Sequence, residues 1–76
     1  MNFPREVTIR VLMDRSDIGF VKAILESYEE IALLTVVDGG KGIVELICPE
    51  SALKDLEGIM EDLRSTGILL SEVAYA

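Results

Sequence analysis

The stretch "DRSDIG", residues 14–19, holds two carboxylates, a guanidinium and a hydroxyl within four positions. Two carboxylates three residues apart can do acid–base work only in a buried cleft that drives their pKa values apart. A chain of 76 residues rarely builds such a cleft alone. Arg15 stands where an anion-binding loop after a first strand would want it, but Asp14 and Asp17 on either side oppose an anion. The sequence has no histidine, which removes the commonest general base. Cys48 is the only cysteine, so it forms neither a Cys-x-x-Cys metal site nor a disulfide within the chain. Nothing basic is close to Cys48 in sequence to activate its thiol, so it is expected to be a small buried hydrophobe. The chain is therefore expected not to be an enzyme, and to carry no metal and no cofactor.

What remains for Asp14, Arg15, Ser16, Asp17, Ile18 and Gly19 is binding or capping. Backbone N–H groups at a helix start can face a carboxylate, while the two acids suit an amino group. An amino acid presents both. The plainer alternative is that Ser16 or Asp17 caps the helix that follows. "DGGKG", residues 38–42, leads into a strand rather than a helix, so it reads as a hairpin turn and not as a phosphate loop.

Composition narrows the partners. The net charge is −7, from 14 acids against 7 bases, which disfavours nucleic acid and anionic membrane surfaces. Aromatics are 5% of the chain, too few for a base-stacking sheet. Hydrophobic residues make up 50%, and the mean hydropathy is +0.39, rich for so short a domain. No apolar run reaches the ~18 residues of a membrane span. The opening "MNFPREVTIRV" lacks the apolar core of a signal peptide, so a reduced, cytoplasmic setting is expected.

These residues need elements to position them. "EVTIRVLM" alternates, with Val7, Ile9, Val11 and Met13 on one side, and predicts a strand. Ile18, Val21, Leu25 and Tyr28, with Ile24 beside them, predict an amphipathic helix that ends near "SYEE". "IALLTVVD" and "IVELIC" predict two strands around the Gly-rich turn. Pro49 ends the second and opens a helix whose stripe is Leu53, Leu56, Met60 and Leu63, flanked by Ile59. Gly58 lies inside that helix, through close packing or simple tolerance. Gly67 suits its C-terminus, and "ILLSEVAYA" predicts a last strand.

The order strand, helix, strand, strand, helix, strand predicts one α+β domain over residues 1–76. Its expected form is a ferredoxin-like βαββαβ sandwich: a four-stranded antiparallel sheet, first and third strands central, both helices on one face. An uncovered sheet face is ordinarily polar. Here the middle strands are apolar on both sides, whichever side meets the helices. Leu33, Val37, Ile43 and Ile47 are therefore expected to form an interface, giving a homodimer or higher oligomer. Glu45 alternates with Ile43 and Ile47. It is expected to be a solvated carboxylate at the interface edge, with an ion pair to Arg10 as the alternative.

The run "VLMDRSDIGFVKAIL" resembles ACT-type regulatory domains, in which an apolar strand runs into Asp-Arg-Pro-Gly and an amphipathic helix. Asp14 and Arg15 match the first two positions. Ser16 and Asp17 stand where Pro and Gly would be, with Gly19 two residues on. "GFVKAILESYE" and the Gly-rich hairpin also resemble short, stand-alone bacterial ACT-like proteins of unassigned function. The resemblance implies a non-enzymatic regulatory module that binds a small metabolite, such as an amino acid, where two subunits meet. The alternative is a pure protein–protein interaction module with no small ligand.

Overall fold

The computed structural model describes residues 5–28 and 31–73. The first strand, β1, spans Glu6–Leu12, and a single 3-10 turn, Arg15–Asp17, leads into helix α1, Ile18–Ser27. Strands β2, Leu33–Asp38, and β3, Ile43–Pro49, form the hairpin. A second 3-10 turn, Glu50–Ala52, opens α2, Leu53–Ser65, and β4 is the two-residue strand Ser71–Glu72. The sheet is antiparallel with the order β2-β3-β1-β4, so β1 and β3 are central.

Alternation sorts the two faces. Val7, Ile9 and Val11 of β1 sit opposite Cys48, Leu46 and Val44 of β3. These residues pack with Val21 and Leu25 of α1 and with Leu56, Ile59, Met60 and Leu63 of α2 in one core. The other face carries Thr8, Arg10 and Leu12 of β1 beside Ile47, Glu45 and Ile43 of β3. Leu33 and Thr35 of β2 extend those rows. The chain is a slab of 39 × 28 × 17 Å. Since one layer-to-layer spacing is ~10 Å, 17 Å leaves room for a sheet and one helix layer.

Local details explain where elements start and stop. The last strand is shorter than "ILLSEVAYA" predicts. Arg64 Nε donates to the Leu70 carbonyl at 2.9 Å, and β4 begins only at Ser71. Residues 74–76 of the expected strand, and the "EE" of "SYEE", lie outside the described residues. Gly67 is left-handed, with φ of 104°. Its N–H donates to the Arg64 carbonyl and that of Ile68 to the Leu63 carbonyl, a Schellman cap. Gly58 has nothing within 4 Å of the place a Cβ would take, so packing among the described residues does not require it.

The hairpin turn is tied down at both ends. The Lys41 N–H reaches both the Asp38 carbonyl and its carboxylate. Gly42 has φ of 74°, and a Cβ there would fall 1.9 Å from the Met13 carbonyl oxygen. The Met13 N–H in turn donates to the Gly42 carbonyl at 2.8 Å. The tip of the hairpin thus lies backbone-to-backbone on the β1–α1 junction. Gly42→Ala should destabilise the fold by at least ~2 kcal/mol in urea unfolding, through both the clash and the left-handed φ. Gly39→Ala, whose Cβ meets only ordinary contact at 3.6 Å, should be close to neutral. Equal effects would contradict this placement.

Candidate functional site

Two places come out of the sequence: the junction between β1 and α1, and the open sheet face. At the junction, Asp14 and not Ser16 or Asp17 supplies the cap. Asp14 Oδ1 accepts from the Ser16 N–H at 2.9 Å and the Ser16 hydroxyl at 2.7 Å. The cap shifts upstream because the chain makes a 3-10 turn before α1, and Asp14 is the residue in extended backbone conformation. Asp17 stands at the head of α1 without a side-chain cap bond. The backbone hydrogen bonds to Ser16 come first among the causes that hold the Asp14 carboxyl below its ordinary value.

The donors at the helix start are largely taken. The Asp17 N–H donates to the Asp14 carbonyl and the Ile18 N–H to the Arg15 carbonyl. Ile18 packs half-buried against the core, while Arg15 and Ser16 are exposed. Gly19 is exposed in the first turn of α1, with open space around it, and does not take the place of a turn glycine. The glycine that approaches this turn through its backbone is Gly42, from the β2–β3 hairpin. Its sequence signal, the last residue of "GGKG", is indistinguishable from an ordinary turn position.

Beside the junction lies an open cleft of about 350 Å³ lined by Leu12, Met13, Asp14, Leu69 and Ser71. Leu12 and Ser71 are neighbours across β1 and β4, so the cleft opens at the corner of the uncovered sheet face. Its walls are mainly aliphatic, and its single charge is the Asp14 carboxylate.

The uncovered face brings together the four residues expected to form an interface. Leu33 lies opposite Ile47, and Val37 occupies a bulge beside Ile43. Leu33 is 62% exposed, Val37 44% and Leu12 43%. Ile43 and Ile47 are half-buried by their neighbours. Among the described residues, no element covers them. In the middle of this face Arg10 Nη2 donates to Glu45 Oε2 at 3.0 Å, with the two residues directly opposite in the ladder. Glu45 is thus a paired, half-buried carboxylate in the centre of the face, not a solvated one at its edge. Cross-strand register brings the opposite charges together, which lifts much of the desolvation penalty that argued for an edge position.

A family model described as "Domain of unknown function (DUF4911)" matches residues 11–66. The chain belongs to the DUF4911 family. The matched segment of this DUF4911 domain begins in β1, takes in the junction, the hairpin and the acid of the Arg10–Glu45 pair, and ends just after α2. No curated protein and no solved structure matches the chain.

Among the described residues, no group of three or more His, Cys, Asp or Glu side chains is placed to hold a metal ion. No helix among them is long and apolar enough to cross a membrane. Cys48 is buried in the core, and burial, with Glu57 as the lesser cause, pushes its thiol upward. A thiol reagent at about pH 8 should therefore label Cys48 only as the protein unfolds. Rapid labelling of the native protein would contradict its place in the core.

The Asp14 cap has a pH signature. A carboxyl held below its unfolded value near 3.8 stabilises the fold fully above that value. The contribution is lost as pH falls through the lower folded value. Asp14→Ala should therefore unfold at a lower temperature than wild type at pH 7, and the gap should close in acid. A gap that stays constant from neutral pH to well below pH ~4 would show that the carboxylate is not what caps this turn.

Proposed function

We propose that this DUF4911 domain is a non-enzymatic regulatory module that works by association, with a second copy docked on its uncovered sheet face. The single observation that carries the reading is the chemistry of that face. Its rows are Pro49 and Glu6, then Leu33, Ile47 and Thr8, then Thr35, Glu45 and Arg10, then Asp38, Ile43, Leu12 and Ser71. The two central charges cancel each other within the chain. In a molecule of net charge −7, a face with an aliphatic, charge-paired middle and the acids Glu6 and Asp38 only at its ends lets two copies meet with few acids brought together. A two-fold interface places a patch against itself, and a charge-paired centre tolerates this. Strands ~4.8 Å apart and roughly seven residues long give a face on the order of 400 Å² in projection. Upstanding side chains raise that toward the ~800 Å² a partner contributes to a standard interface.

The finer structural reading belongs with this proposal. The order β2-β3-β1-β4, with helices between the first and second and the third and fourth strands, supports a ferredoxin-like sandwich. Asp14 and Arg15 at the junction support kinship with ACT-type domains. Under that kinship a small ligand would sit where two subunits meet, and the Leu12–Asp14–Leu69 cleft at the corner of the face is the place for it. Its aliphatic walls and one carboxylate suit an amine with an apolar body. The carboxylate half of an amino acid finds fewer donors, because the N–H groups of residues 16–18 already have partners.

Ile47→Asp and Leu33→Asp test the interface. Each places an unpaired carboxylate in the apolar face while leaving the core side untouched. Light scattering should report a multiple of 8.4 kDa for wild type and monomers for both variants. An unchanged, soluble oligomer in both would reject this face. Thermal unfolding against a panel of amines and amino acids tests the cleft. A compound present at ~100 times its dissociation constant adds ~2.7 kcal/mol, and Asp14→Ala should abolish the shift. A shift that survives Asp14→Ala would move the ligand elsewhere.

A further inference from the structure

The helix side of the slab carries a second surface of different character. The backbones of α1 and α2 approach each other little, and between them runs a groove made of two adjoining clefts, of about 500 and 240 Å³. They meet at Tyr28, Ile59 and Asp62. The lining of α2 runs from Lys54 to Thr66, which at ~1.5 Å per residue is a length of roughly 18 Å, the span of three helical turns.

Three observations bear on what the groove could hold. Phe20 and Tyr28 both line it, and they are 54% and 46% exposed. They are the only two aromatic residues among the described ones. Aromatic side chains bury more area than any other type, and exposed ones concentrate at binding hot spots. Gly58 lies on the floor of the larger cleft, where a side chain would have open space. A glycine inside a helix costs ~1 kcal/mol relative to alanine. Nothing among the described residues requires it, and its lack of a side chain leaves that part of the groove open. Finally, the charges lining the groove are the carboxylates of Asp55 and Asp62 against the single ammonium of Lys54.

We propose that this groove receives an amphipathic, basic helix of a partner protein, with apolar side chains set against Phe20, Tyr28 and Ile59 and a cation against Asp62. A second copy of this chain fits poorly, because its net charge of −7 meets a groove with an excess of acid. The uncovered sheet face differs in character, with an aliphatic middle whose two charges, Arg10 and Glu45, pair with each other. The two surfaces lie on opposite sides of the slab, so a copy docked on the sheet leaves the groove open. The groove is long enough for a helix to place residues i, i+3, i+4 and i+7 along it.

The test uses a fluorescent leucine–lysine peptide of about 18 residues with leucines at that spacing, titrated into the full-length chain and followed by anisotropy. A scrambled peptide of the same composition is the control. Saturable binding of the patterned peptide alone is expected, weakening with salt. Gly58→Gln should weaken it by roughly ten-fold or more while unfolding no earlier than wild type, since glutamine is the better helix former. Asp62→Lys should weaken it as well, and Ile47→Asp on the opposite face should leave it unchanged. Equal binding of both peptides, unchanged affinity in Gly58→Gln and Asp62→Lys, or no binding to wild type would each overturn the proposal. Failure of the sheet-face interface has a separate readout, the mass of the chain, and leaves this result standing.

Discussion

β3 is apolar on both sides, and the rest of the molecule follows from that. Val44, Leu46 and Cys48 face the helices and are buried, while Ile43 and Ile47 face away from them. Two helices cover one face of a four-stranded sheet and no more. A single-layer core in a chain this short has little stability to spare. The uncovered side of the same strand is where further burial is available, and the proposed second copy would supply it without any added element.

The Arg10–Glu45 pair fits the same constraint. Under the proposed association, a strand position on the uncovered face would have to be tolerable both in water and beneath a partner. Two opposite charges in direct cross-strand register meet both conditions: they hydrate when open and satisfy each other when covered. The pair also separates Leu33 and Ile47 from Ile43 and Leu12 on this face, which limits indiscriminate sticking. The junction of β1 with α1 is rigid for a related reason. Gly42 locks the hairpin tip onto Met13, so β2 and β3 are held in register with the start of α1.

Much of this architecture is legible in the sequence, because period-two and period-3.6 patterns report burial directly. The element order, the central places of β1 and β3, and the gathering of Leu33, Val37, Ile43 and Ile47 on one face all follow from patterning. What escaped it depends on contacts between residues distant along the chain. The cap moved from Ser16 or Asp17 to Asp14 because of a 3-10 turn that propensity does not signal. β4 is only two residues long, Ser71–Glu72, with the Leu70 carbonyl just before it held by Arg64. Glu45 moved from edge to centre because register, which the sequence leaves open, sets it opposite Arg10. The groove beside Gly58 was the least visible feature. A glycine, two aromatics and an aspartate carry no joint meaning until α1 and α2 are placed beside each other.

The central claim is that the uncovered face couples folding to self-association, and the concentration dependence of wild-type thermal unfolding tests it most directly. A chain stabilised by a second copy must unfold at a higher temperature as its concentration rises, because mass action favours the associated form. The account predicts a midpoint that climbs steadily over a hundred-fold range of protein concentration. A midpoint that does not move, in a protein that sediments at 8.4 kDa throughout, would contradict it.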